Sequence, residues 1–179
     1  MSLLVYLSLL PFSIQTSLVV SNADHKETIS ELQFPDEHDS LYILDTKIVN
    51  LQTFTIFNKR SLKQIQIVGN EYLQQIGKYA ILDLPNLMNL TITDNRDLTF
   101  LHPLFIRNVD NLELLDLRRN NILHFSDMTM QNLPLFTKIE LAHNPYHCGC
   151  DISTVLQNRL ITLDADLVKI FLKNKRAVF

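Results

Sequence analysis

The sequence predicts a repeat solenoid, and three observations predict it. Four nine-residue windows align without gaps, each closes on an asparagine 24 or 25 residues from the next, and apolar residues between the windows recur in the same phase. Self-similarity at such a period marks a chain whose units cannot bury an apolar face alone and must stack to make a common core.

The windows are LKQIQIVGN (62–70), LMNLTITDN (87–95), LELLDLRRN (112–120) and FTKIELAHN (136–144), each reading apolar-x-x-apolar-x-apolar-x-x-Asn. Within a window, Ile65 and Ile67 flank Gln66, so a short strand is expected to send two apolar side chains inward and a polar one outward. Asn70, Asn95, Asn120 and Asn144 have another task. An amide both donates and accepts, so an inward asparagine can satisfy buried backbone groups where the chain turns. Stacked, the four predict a structural ladder. An earlier window, HDSLYILDT (38–46), keeps Leu41 and Ile43 but closes on Thr46. Val49, Leu73, Leu98 and Leu123 each fall three residues past the ladder position, and Leu84, Val109 and Leu133 precede the next unit.

This pattern resembles the extracellular class of the leucine-rich repeat family over about residues 38 to 150. The resemblance implies an α/β solenoid, a curved superhelix with one short parallel strand per repeat on its concave face. It also implies that the chain binds a protein partner, without a cofactor. Asn144, Pro145, Cys148 and Cys150 match the N-P-x-x-C-x-C opening of that family's C-terminal cap, with Tyr146 where the family often has tryptophan. The family's cap ordinarily has four cysteines in two disulfides, whereas this chain has two cysteines in all. Alternate residues seldom reach disulfide geometry without strain, so Cys148 and Cys150 are expected to be free thiols or to pair between chains. The stretch 41–54 also looks like the receptor L domains, related β-solenoids, which makes a receptor ectodomain fragment the nearest alternative.

A different class of function competes at the same place. His143, His147, Cys148 and Cys150 are all possible zinc ligands, and a cysteine near a histidine can serve as a thiol nucleophile. The cap accounts for both cysteines without metal, so the metal or thiol reading stands behind it as the alternative of another class. No GxGxxG, Walker loop, G-x-S-x-G elbow or H-E-x-x-H is present, and no enzyme is predicted.

The flanks carry less. Residues 3–20 hold no charge and are mostly apolar, and Ser21-Asn22-Ala23-Asp24 follows, which reads as a secretory leader cut after Ser21 or Ala23. An uncleaved anchor or a buried helix fits less well, because Pro11 and polar Ser13, Gln15, Thr16 and Ser17 interrupt the run. No later stretch reaches the ~20 apolar residues of a membrane span. Net charge of −3 gives no electrostatic case for nucleic acid. The tail begins at helical spacing (Ile152, Val155, Leu156, Leu160) and ends in Lys169, Lys173, Lys175 and Arg176, a solvated surface before it is a membrane-binding segment. The expected organisation is therefore a leader (1–21), a flank (22–40), about five repeats (41–144), and a partial cap with tail (145–179).

Outward strand positions name a candidate surface. One column runs Tyr42, Gln66, Thr91, Asp116, Glu140, and the next Leu44, Val68, Thr93, Arg118, Ala142, with Asp45, Gly69, Asp94, Arg119 and His143 beside them. Arg118 is the first choice for recognising a partner's carboxylate, since its planar fork can do so bidentately. Tyr42, Leu44 and Val68 offer an apolar contact. The competing expectation is that Asp94, Asp116, Arg118, Arg119 and Glu140 merely pair with one another across strands. The single sequon, Asn89-Leu90-Thr91, predicts a glycan on the outward side.

Overall fold

The computed structural model describes residues 5–7, 17–21, 27–29, 32, 34–146 and 161–162. The chain winds into a parallel-strand β-solenoid of about five turns. One side is an eight-stranded sheet in the order β1-β2-β4-β7-β10-β13-β14-β15. Its repeat strands are β2 (Ser17–Ser21), β4 (Ser40–Leu44), β7 (Gln64–Val68), β10 (Asn89–Thr93), β13 (Leu114–Asp116) and β14 (Lys138–Glu140). All are parallel, and each turn adds one. The outer strands are β1 (Val5–Leu7), antiparallel to β2, and β15 (Ile161–Thr162), parallel to β14.

Alternation builds this sheet as the windows predict. Leu18 and Val20, Leu41 and Ile43, Ile65 and Ile67, Leu90 and Ile92, Leu115 and Leu117, and Ile139 and Leu141 all point inward and are buried. Burying such side chains contributes roughly 1.5–3 kcal/mol each, which makes this double column the main source of cohesion between turns.

The other two sides are also β, which narrows the α/β expectation. A four-stranded sheet joins β3 (Glu27–Ile29), β5 (Ile48–Leu51), β8 (Gln75–Ile76) and β11 (Phe100–Leu101), and a three-stranded one joins β6 (Ile56–Phe57), β9 (Ile81–Leu82) and β12 (Ile106–Arg107). Leu51, Ile76 and Leu101 form one inward column and Ile56, Ile81 and Ile106 another, each at 25-residue spacing. At 25 residues the next step would fall on Ser126 and Gln131, but Phe125 and Met130, one residue earlier, take the buried places. There the chain forms α1 (Asp127–Gln131) instead, the one helix among the described residues. Ser126 caps it by accepting from the Met128 amide at 3.2 Å, and Met130 fills the core.

Two details of the repeat differ from the sequence reading. Phe136, aligned with Leu62, Leu87 and Leu112, is 84% exposed, while Thr137 takes the buried slot. The Thr137 amide closes the corner onto Pro134 O just as Leu112 closes onto Val109 O, and its hydroxyl donates to Leu112 O at 2.7 Å. The 24-residue spacing thus removes its residue before the strand. Past the ladder, Leu73 and Leu98 are buried as aligned, but after the windows 38–46 and 112–120 Ile48 and Ile122 turn inward in place of Val49 and Leu123. Ser17–Ser21, read from the sequence as the end of a leader, lies in the sheet with Leu18 and Val20 in the core.

Candidate functional site

Where each broad-sheet strand ends, the chain must turn away from the sheet, and this corner repeats. The residue before each ladder position is left-handed: Asp45, Gly69, Asp94, Arg119 and His143, with φ between 50° and 69°. Only Gly69 holds this conformation without steric cost. A Cβ there would also lie 2.6 Å from Asp45 Oδ1.

Immediately inside the corner, the asparagines bond from turn to turn. Asn70 Oδ1 accepts from the Thr46 amide at 2.9 Å and its hydroxyl at 2.6 Å, Asn95 Oδ1 from the Asn70 amide at 3.0 Å, and Asn120 Oδ1 from the Asn95 amide at 3.0 Å. Their Nδ2 groups donate inward, from Asn70 to Ile43 O, from Asn95 to Ile67 O and from Asn120 to Ile92 O. The final member is displaced. Asn144 Oδ1 accepts from the Ile122 amide at 3.1 Å, and its Nδ2 donates to Leu117 O at 2.8 Å. Every acceptor and donor here is occupied by structure, so these residues build the site and do not act in it.

Outward, strand register sets the columns. Tyr42 lies beside Gln66, Gln66 beside Thr91, Thr91 beside Asp116 and Asp116 beside Glu140, and Leu44 lies beside Val68, itself beside Thr93. Tyr42, Leu44, Gln66 and Val68 are half-buried and carry no charge. Asp116 and Glu140 at the other end are buried, and each is paired. Arg118 donates from Nε to Asp116 Oδ1 at 3.0 Å and from Nη2 to Oδ2 at 2.7 Å. Lys138 Nζ sits 2.6 Å from Glu140 Oε1. One turn over, Arg119 grips Asp94 in the same manner, at 2.7 and 2.9 Å. The hydrogen bond from Arg119, aided by one from Thr93, holds the Asp94 carboxyl below its ordinary range. Both guanidiniums are held above theirs, Arg118 first by its bond to Asp116 and Arg119 first by its bond to Asp94.

The sheet thus brings the charged candidates together and occupies them with each other. The fork of Arg118, singled out for a partner's carboxylate, is already on Asp116. Tyr42, Leu44 and Val68 lie at the other end of the sheet. Asn89 opens β10 on the same outward side as Thr91, between Gln64 and Leu114.

Several further features were not drawn from the sequence. Asn58, Asp83 and Asn108 form a second left-handed corner at 25-residue spacing, where Asn108 Nδ2 donates to Asp83 Oδ1 at 2.5 Å. The spacing was the available signal. Asn50, Leu51, Gln52, Thr53, Gln75 and Gly77 line a shallow groove on the four-stranded side.

His143 is exposed at its left-handed corner, while His147, Cys148 and Cys150 lie outside the described residues, as does most of the cap. Tyr146 is buried beside the end of the core. Among the described residues, no three histidine, cysteine, aspartate or glutamate side chains gather as a metal site would need. No helix among them is long and apolar enough to cross a membrane.

A family model described as leucine rich repeat matches residues 85–145. The match spans β10 to β14 and the three ladder residues Asn95, Asn120 and Asn144, and it supports a leucine-rich repeat protein with a solenoid fold. That family points to protein–protein interaction.

Proposed function

We propose that the chain is an exported, non-enzymatic module that binds a protein through the outward face of its eight-stranded sheet. The observation that carries this reading is the pair of in-register columns. Rigid neighbouring strands hold Tyr42 beside Gln66 and Leu44 beside Val68, half-exposed, uncharged and presented in a fixed pattern. Preorganised side chains lose little freedom on binding, and tyrosine combines apolar area with a polar end, which suits an interface core. The contact accordingly centres on Tyr42, Leu44 and Val68. Asp94, Asp116, Arg118, Arg119 and Glu140 form a polar border whose charges are balanced within the fold.

Capture from extracellular fluid on the immobilised full chain, compared with Leu44→Lys/Val68→Lys, tests this. The partner retained by the wild-type chain should be lost from the double variant while its melting temperature is kept. A partner held equally by both places the contact elsewhere. Reversing Arg118 and Arg119 is a poorer test, because each glutamate would face the aspartate its arginine now neutralises.

Export supports two companion readings. A glycan on Asn89 would cover the sheet between Gln64 and Leu114, and a mass unchanged by deglycosylation of protein from secreting eukaryotic cells would dismiss it. Cys148 and Cys150 are read as free or as bridging two chains, and an intramolecular 148–150 bridge found by thiol counting would overturn that.

A further inference from the structure

The broad sheet begins earlier than the sequence windows do. Ser17 to Ser21 pairs with Ser40 to Leu44 residue for residue, Leu18 on Leu41 and Val20 on Ile43. Those are the two inward columns, and Leu18 and Val20 are 2% and 1% exposed. The match does not stop at one side. Glu27–Ile29 pairs with Ile48–Leu51 in the second sheet. On the third side the Leu32 amide donates to Thr55 O at 2.8 Å. Phe34 lies under Lys59, whose ammonium is 4.4 Å from the ring centre and donates to Phe34 O. Asp36 Oδ1 accepts from the Ser61 amide at 3.2 Å, and the Lys63 amide then donates to Asp39 O at 2.7 Å. Met88 closes the following corner onto Lys63 O and Glu113 the next onto Met88 O. Asp39 therefore ends a turn in the same way as Lys63 and Met88 do.

The composition of the strand agrees. In SLVVS the two serines fall at outward positions and Leu18 and Val20 at the inward ones, with apolar Val19 outward between them. A leader needs only apolarity, whereas this strand buries its alternate residues Leu18 and Val20 in register with Leu41 and Ile43. Without this strand, the backbone N–H and C=O groups of Ser40–Leu44 on that side become an open parallel edge beside an exposed core, an aggregation template.

We propose that the described residues between Ser17 and Asp39 belong to the first solenoid turn of the mature protein, so that any leader removed on export ends before Ser17. Cutting after Ser21 or Ala23 would remove one side of that turn and leave the other two in place.

Two measurements on the full chain test the assignment. The amino terminus of protein made in secreting eukaryotic cells should lie at or before Ser17, whether or not a leader is removed; a terminus at Asn22 or Asp24 overturns it. In the unprocessed chain made in bacterial cytoplasm, Leu18→Ser/Val20→Ser should lower Tm by roughly 5 °C or more, or abolish folding. The matched outward change Val19→Ser should shift it by about a degree. Equal melting of the two variants would show that the strand is not part of the fold.

Discussion

Two polar networks run side by side at the corner of the broad sheet, the inner one spaced by the repeat and the outer one joining Arg119 to Asp94 across a turn and Arg118 to Asp116 two positions away, and they do different work. Inside, Asn70 and Asn95 are 0% exposed and bond to backbone that no water reaches. Outside, Arg119 and Asp94 meet with side chains 49% and 42% exposed, and Arg118 meets Asp116 with its own side chain 39% exposed. Bond lengths in the two networks are nearly the same. What differs is the alternative open to each group when its partner is removed: water for the outer pair, nothing for the inner one. Burial, more than geometry, sets their weight.

Asn95→Ala should break the inner network most severely. It strips the acceptor from the Asn70 amide and the donor from Ile67 O, both buried, and should cost about 3 kcal/mol, read as a lower denaturant midpoint with unchanged slope. A melting curve equal to wild type would refute the ladder's structural role. Arg118→Glu sits between the regimes, because Asp116 is buried while its partner is half-exposed. Setting a second carboxylate beside Asp116 should cost about 2 kcal/mol, less than the ~3–5 for breaking a fully buried pair. A loss under roughly 0.5 kcal/mol would assign the pair to the weak outer class.

Gly69→Ala probes the corner that both networks share. The left-handed φ of 69° and the Asp45 carboxylate at 2.6 Å should together cost about 1–2 kcal/mol. Because Asp45 is exposed and can swing away, adding Asp45→Ala should recover part of that loss. The smallest effect belongs to Asp94. Its carboxyl is held below the ordinary range by Arg119, so its contribution is present above the unfolded aspartate pKa and lost as pH falls through the depressed folded value, below about pH 4. Exposure limits it to about 0.5 kcal/mol. Asp94→Asn should therefore cost about 0.5 kcal/mol at pH 7 and almost nothing once the pH is below the depressed folded value, which flattens the stability profile across that acid window.

The strands of the broad sheet were legible because the repeat multiplies a weak signal. One Ile-x-Ile proves little, but Ile65/Ile67, Leu90/Ile92 and Leu115/Leu117 in phase with an asparagine fix strand, face and register at once. The two narrower sheets carry equally regular columns, Leu51-Ile76-Leu101 and Ile56-Ile81-Ile106. Their strands are mostly two residues long, too short for alternation to appear, and so they do not announce themselves as strands. The exchange of Phe136 for Thr137 had a different cause. A 24-residue spacing says that one residue is missing but not on which side of the strand it went. At the candidate surface, the periodicity gathered Asp94, Asp116, Arg118 and Arg119 onto one face. It held nothing about rotamers, and these decide that Arg118 turns back on a residue two positions away rather than outward. Ser17–Ser21 reads as part of a leader because Leu18-Val19-Val20 is an unbroken apolar run, and only pairing with Leu41 and Ile43 separates the inward Leu18 and Val20 from the outward Val19.

The asparagine ladder has a direction: each Oδ1 accepts from the backbone of the turn before it, from Thr46 to Asn70, Asn70 to Asn95 and Asn95 to Asn120. A turn thus communicates with its two neighbours and with little beyond them, as in a one-dimensional lattice with nearest-neighbour coupling. The natural quantum of change in such a molecule is a whole period. Excising residues 71–95 would set Asn70 against Asn120 with every inward column still in line, whereas a single residue can be lost only where a corner absorbs it, as happens between Thr137 and Lys138, and its loss within a strand would turn that strand's inward pair outward. Length in this chain is a countable property, altered one rung at a time.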